Sequence, residues 1–137
     1  KADLDRILRE SDIISLHAPS IPATHHMINA QTLAMMKDEV ILINTARGSL
    51  IDEQALFAHM QSGKIKYACL DVTDPEPPAV DNPLRTLSNC IITPHLAGQA
   101  NNGLGRIGVH VCSEISRFLN GEPLTSQVTR EMLATIA

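Results

Sequence analysis

Aromatic residues are nearly absent: two Phe, one Tyr and no Trp among 137 residues. Any core must therefore be aliphatic. Positive charge is also scarce, with 11 Lys and Arg against 15 Asp and Glu, a net charge of −4, and the basic residues scattered. That balance argues against nucleic acid or an anionic membrane as a partner. No apolar run approaches the roughly 18 residues of a membrane span. The opening Lys-Ala-Asp-Leu-Asp-Arg does not read as a signal peptide. Cysteines number three, Cys69, Cys90 and Cys112, without CxxC spacing and in apolar surroundings. They read as reduced, buried thiols of a cytoplasmic protein, with no chemistry of their own. The histidines show no metal-ligand spacing, so no metal site is expected, and His25-His26 fall in a loop. What remains is one ordinary domain with room for a sizeable core.

The chain is organised around Ile41-Leu42-Ile43-Asn44-Thr45-Ala46-Arg47-Gly48. Val40 to Ile43 are continuously apolar, the pattern of an interior strand of a parallel sheet buried on both faces. The strand delivers Arg47 to its C-terminal end before Gly48 turns the chain toward a helix. Ligands of open α/β sheets bind at that edge, and a guanidinium there matches a carboxylate or phosphate. The alternative is an arginine paired with a structural carboxylate.

Taken in order, Leu4, Ile7 and Leu8 mark a short helix ending near Ser11-Asp12, and Ile13–Leu16 a strand closed by His17-Ala18-Pro19. Asn29 can cap a helix carrying Leu33, Met35 and Met36, and Asp52 one carrying Leu56, His59 and Met60 that stops at Gly63. Tyr67–Leu70 is a third strand, ending in Asp71. A proline-dense connection, Thr73 to Ser88, excludes helix and central strand, and its length points to function. Cys90–Thr93 is a fourth strand, ending at Pro94-His95. A long helix follows over about Asn101–Leu119, with Leu104, Ile107, Val111, Ile115 and Phe118 as its buried stripe. In it Gly103, Gly105 and Gly108 allow close backbone approach.

This order predicts an α/β domain with a parallel sheet. Arg47, Asp71 and His95 all follow strands closely, so they converge on one edge. A carboxylate bonded to an imidazole holds it as an acid–base group near neutral pH; Glu76, in Asp74-Pro75-Glu76-Pro77, can be that carboxylate. Beside an arginine clamping a substrate carboxylate, the histidine could protonate a carbonyl or deprotonate a hydroxyl. The other half of the reaction is a hydride, which implies a nicotinamide cofactor. Read singly, His95 could instead be a structural histidine, Glu76 a solvated carboxylate and Asp71 a cap.

The ordered set of motifs resembles the C-terminal part of the D-isomer-specific 2-hydroxyacid dehydrogenases. The matching pieces are Ser11–Pro19, Asn44-Thr45-Ala46-Arg47-Gly48 with Asp52-Glu53 and Ala55-Leu56, Gly63-Lys64-Ile65, Leu70-Asp71-Val72, Glu76-Pro77, and Thr93–Gly98. By this resemblance Arg47 binds the 2-oxo acid carboxylate and polarises its carbonyl, His95 is the acid/base and Glu76 its partner. Asp71 holds the nicotinamide side of NAD or NADP, and Ala18, Thr45, Ala46, Arg47, His95 and Gly98 match positions of the cofactor site. The resemblance further implies a Rossmann-like nucleotide-binding domain, a small 2-oxo or 2-hydroxy acid substrate, and a homodimer.

The chain departs from the family in having no G-x-G-x-x-G that follows a predicted strand: that spacing occurs at Gly103-Leu104-Gly105-Arg106-Ile107-Gly108, inside the long helix pattern, and the ribose-reading acidic residue is missing with the loop. The expectation is therefore the second half of the nucleotide domain, residues 1–122, with a tail at 123–137, truncated upstream. A second reading on the same fold is a nucleotide-sensing, corepressor-like regulatory protein.

Overall fold

A computed structural model describes residues 1–136. They form two compact units, Lys1–His95 and Leu96–Ile136. In the first, helices and strands alternate: α1 (Leu4–Glu10), β1 (Ile13–Leu16), α2 (Ala30–Met35), β2 (Val40–Asn44), α3 (Glu53–Gln61), β3 (Ile65–Leu70) and β4 (Cys90–Ile92). The four strands make one sheet in the order β1-β2-β3-β4, every pair parallel. Register aligns Ile14 with Leu42 and Ala68, and Leu16 with Asn44 and Leu70, so those side chains share one face. They are buried with Leu8, Leu33, Leu56 and Met60 of the helices in a core free of aromatic residues.

Local chemistry sets the boundaries. Asn29 opens α2 with a capping box, its side chain accepting from the Gln31 and Thr32 N–H groups while the Thr32 hydroxyl answers the cap's own N–H. Asp52 caps α3 by accepting from Gln54 and Ala55. Gly63, at φ +81°, ends it in the left-handed conformation that glycine adopts without cost.

Several expectations require correction. The apolar run of β2 is closed on one face only: Val40 and Leu42 are buried while Ile41 and Ile43 are half-buried. That second face continues through Ile13, Tyr67 and Ile91, all exposed, because α1, α2 and α3 bury their apolar sides with the other face. The connection after β3 is not structureless, since Asn82 and Pro83 open a short 3-10 turn, Pro83–Thr86, that buries Leu84. The cysteines are free but not buried; Cys69 and Cys90 are half-buried and Cys112 is exposed, because it sits on a helix with little packed against it.

That helix, α4 (Gly103–Leu119), dominates the second unit. Its apolar stripe keeps helical spacing but is exposed rather than buried, with Leu104 at 62 % and Phe118 at 71 %. Its unit supplies only short 3-10 stretches, Ala97–Asn102 and Glu131–Ala134, and no sheet or second α-helix to lie against. Gly103 does allow close approach, to the Gly98 carbonyl, whereas Gly108 faces open space. The Glu114 carboxylate accepts from the backbone N–H groups of Thr125 and Ser126 and from the Thr125 hydroxyl, tying the following segment to α4. The expected tail runs through this unit; Ala137 lies outside the described residues. Among the described residues no helix is long and apolar enough to cross a membrane.

Candidate active site

Three strand ends build the site. At the end of β2 the buried Asn44 accepts the Ala46 N–H at 3.0 Å and donates its amide to the Arg47 carbonyl at 2.9 Å. This turn fixes the backbone from which Arg47 projects. The guanidinium is exposed, and Nη1 donates to the Ala46 carbonyl at 2.7 Å, leaving other donors of the fork free for a ligand.

The end of β3 places Asp71, only 6 % exposed, with its N–H donating to the Asn44 carbonyl. The Thr93 hydroxyl at the end of β4 donates to the Asp71 carboxylate. The next two residues carry the chain to His95, whose N–H donates to the Asp71 carbonyl at 3.0 Å. His95 takes φ +53°, a left-handed conformation uncommon for a residue with a side chain and frequent at functional sites.

From there the imidazole meets Glu76: Nδ1 lies 2.6 Å from Oε1. An ionised carboxylate is an acceptor only, so Nδ1 carries the proton and donates. That assigns the tautomer and leaves Nε2 as the nitrogen that can exchange a proton with a ligand. Both side chains remain open to solvent, 49 % for His95 and 40 % for Glu76. They border a cavity of about 250 Å³ together with Asp71, Thr73 and Thr93.

Asp71, Glu76 and His95 are thus brought together. Arg47 stands at the end of the neighbouring strand and does not line that cavity. Ala18 follows β1, and Thr45 and Ala46 follow β2; both alanines are half-buried against the core. Gly98 belongs to the second unit. Three contributors stand in the motif pieces but were given no role from the sequence. Asn44 shapes the Arg47 turn and Thr93 holds the Asp71 carboxylate. Glu53 accepts from Asp74 and Asn82 in the proline-rich connection. Beyond their places in those pieces, the local signals were a polar residue ending an apolar strand, a threonine before proline, and an acid beside a helix cap.

A four-stranded parallel sheet with polar groups gathered at its carboxyl edge defines an α/β nucleotide-binding protein of Rossmann type. Residues 1–97 match the family model for the D-isomer specific 2-hydroxyacid dehydrogenase, NAD binding domain. The chain belongs to that family. It is 43 % identical over 119 residues to the hydroxypyruvate reductase of Thermotoga maritima, spanning 85 % of this chain and 39 % of that protein. Among solved structures it superposes on D-lactate dehydrogenase with NAD+ from Lactobacillus jensenii with a TM-score of 0.83 and 34 % identity, covering 94 % of this chain and 43 % of that one. It also superposes on a D-isomer specific 2-hydroxyacid dehydrogenase from Xanthobacter autotrophicus, in complex with NADPH and MES, with a TM-score of 0.80 and 37 % identity over 92 % of this chain and 51 % of that one. The chain spans between about a quarter and two fifths of the length of the curated relatives it matches.

Proposed function

We propose that this chain supplies the acid–base side of an active site that interconverts a 2-oxo acid and a D-2-hydroxy acid with NAD or NADP. The observation that carries the reading is the 2.6 Å bond between His95 Nδ1 and Glu76 Oε1 at the carboxyl edge of a parallel sheet. With Nδ1 committed to Glu76, Nε2 gives a proton to the substrate carbonyl oxygen in reduction and takes it back from the hydroxyl in oxidation. Glu76 holds the ring in that orientation and faces the positive charge while the imidazole is protonated. Arg47 presents its fork to the substrate carboxylate, which orients the carbonyl toward His95.

The residues fit the nicotinamide end of the cofactor. Asp71 offers a nearly buried acceptor carboxylate already steadied by Thr93. The short side chains of Ala18, Thr45 and Ala46 at the neighbouring strand ends leave room for a flat ring. When bound, the cofactor supplies the hydride that no side chain can. Like the solved relatives, the protein then acts on a small hydroxy acid, and we include a homodimer in the proposal.

The test is turnover by the natural protein that carries this chain, offered glyoxylate, hydroxypyruvate and phosphohydroxypyruvate with NADH and with NADPH. Loss of the reduced-nicotinamide absorbance with any of them is the expected result. Tight cofactor binding with no turnover of any 2-oxo acid would replace the enzyme with a nucleotide-sensing protein.

A further inference from the structure

The connection from Asp74 to Asn82 delivers Glu76 to His95 without a helix or strand of its own. Both of its ends are held by one side chain, Glu53, the first residue of α3. Glu53 Oε1 accepts the backbone N–H of Asp74 at 2.9 Å, and Oε2 accepts the side-chain amide of Asn82 at 2.6 Å. The buried Asn82 turns its own oxygen to the Leu84 N–H at 2.9 Å, so this end is also anchored to the 3-10 turn that buries Leu84. Below the first end the backbone packs directly on Gly48, where an added Cβ would lie 2.1 Å from the Thr73 carbonyl carbon. A segment pinned at both ends by one rigid helix terminus has lost most of its freedom to wander.

We propose that Glu53 is a positioning residue for the Glu76–His95 pair: by closing the 74–82 connection it sets where the Glu76 carboxylate meets the imidazole. The effect on turnover rests on the function proposed above. The chemistry explains the residue type. Both groups it holds are donors, and only a carboxylate offers two acceptor oxygens with no competing N–H. Glutamine would turn an N–H toward the Asn82 amide, and aspartate is one methylene short.

The test exchanges donor and acceptor. Glu53→Gln alone sets amide against amide, and Asn82→Asp alone sets carboxylate against carboxylate. Combined, they restore every bond: the new amide oxygen still accepts from Asp74, its nitrogen donates to the new carboxylate, and that carboxylate still accepts from Leu84. Nitrogen-edited NMR of this chain reads the His95 ring nitrogens, assigned by their loss in His95→Gln, with Glu76→Gln as the reference for a broken pair. Both single variants should move the His95 ring resonances in the same sense as Glu76→Gln, and the double variant should return them. In the natural protein the singles should lower kcat about tenfold or more, with KM holding and the double recovering.

Single variants that melt earlier but leave the His95 resonances in place overturn the proposal, for Glu53 is then a structural staple only. A double variant that fails to recover what both singles lost overturns it as well. If Glu76→Gln itself leaves His95 unmoved, the acid–base pair falls, and Glu53 falls with it for that separate and recognisable reason.

Discussion

His95 stands on a backbone in the left-handed region and is held there by its N–H bond to the Asp71 carbonyl. Its imidazole is carried from there to the Glu76 carboxylate, 2.6 Å away. His95→Ala should lower kcat at least about 10²-fold, the scale of general acid–base catalysis. Cofactor affinity, measured by calorimetric titration of the natural protein, should barely change. Arg47→Lys should raise KM steeply although charge is kept, because lysine offers a point charge where a planar fork is needed. Steady-state kinetics giving an unchanged KM would make that arginine structural. Cys90 gives a pH signature. Burial chiefly, then the neighbouring Cys69 and Glu53, push its thiol up from 9.0 to about 11. The folded chain therefore keeps a proton that the unfolded chain has lost, so this contribution is complete below pH 9 and fades as pH rises toward 11. Urea midpoints should fall across that window in the parent and fall less in Cys90→Ala.

Among the elements, the start of the Gly48–Leu50 turn packs directly against the backbone that follows β3. Gly48 has ordinary extended or helical neighbours, and what it supplies is space: a Cβ there would meet Thr73 backbone atoms at 2.1 Å and the Asp74 nitrogen at 2.6 Å. Backbone cannot step aside as a flexible side chain can. Gly48→Ala should therefore destabilise by about 3 kcal/mol, the upper range of overpacking. Gly108→Ala is the matched control, since nothing lies within 4 Å of its added Cβ and it sits inside α4. It should leave stability unchanged or raise it by about 0.5–1 kcal/mol through helix propensity. Denaturant melts of the two variants decide the comparison. The caps at Asn29, Asp52 and Gly63 were legible in the sequence because capping is a bond between residues two or three apart. The 3-10 turn at Pro83–Thr86 was not, because it is stabilised by burying Leu84, a contact with distant residues.

Over the whole chain, the sheet order leaves β1 at an edge, with Ile13 59 % exposed and the same open face running on to Tyr67 and Ile91. Parallel sheets are ordinarily covered on both faces, and an uncovered strand edge pairs with another chain. The 137-residue chain on its own should therefore self-associate. Light scattering should give a mass above that of a monomer, falling when Ile13→Lys places a charge on the edge. It should also bind NADH weakly, because its G-x-G-x-x-G spacing, Gly103 to Gly108, lies inside α4 after a 3-10 stretch and makes no loop between a strand and a helix to cradle the pyrophosphate. Calorimetric titration giving micromolar affinity from a stable monomer would contradict both expectations.

Periodicity and punctuation alone determined the order of helices and strands, the parallel sheet and the placing of Arg47, Asp71 and His95 at strand ends. These are local properties: short apolar runs, caps, and glycine or proline stops act over a few residues. Tertiary structure alone decided that Glu76 reaches His95 at 2.6 Å. Nineteen residues separate the two in sequence, and the path between them depends on Glu53, Asn82 and the missing side chain of Gly48, none of which the local pattern ties to the pair. It also decided that the stripe of α4 is exposed and the second face of the sheet open. An apolar period says which side of an element avoids water; only the packed chain shows which of those sides is covered.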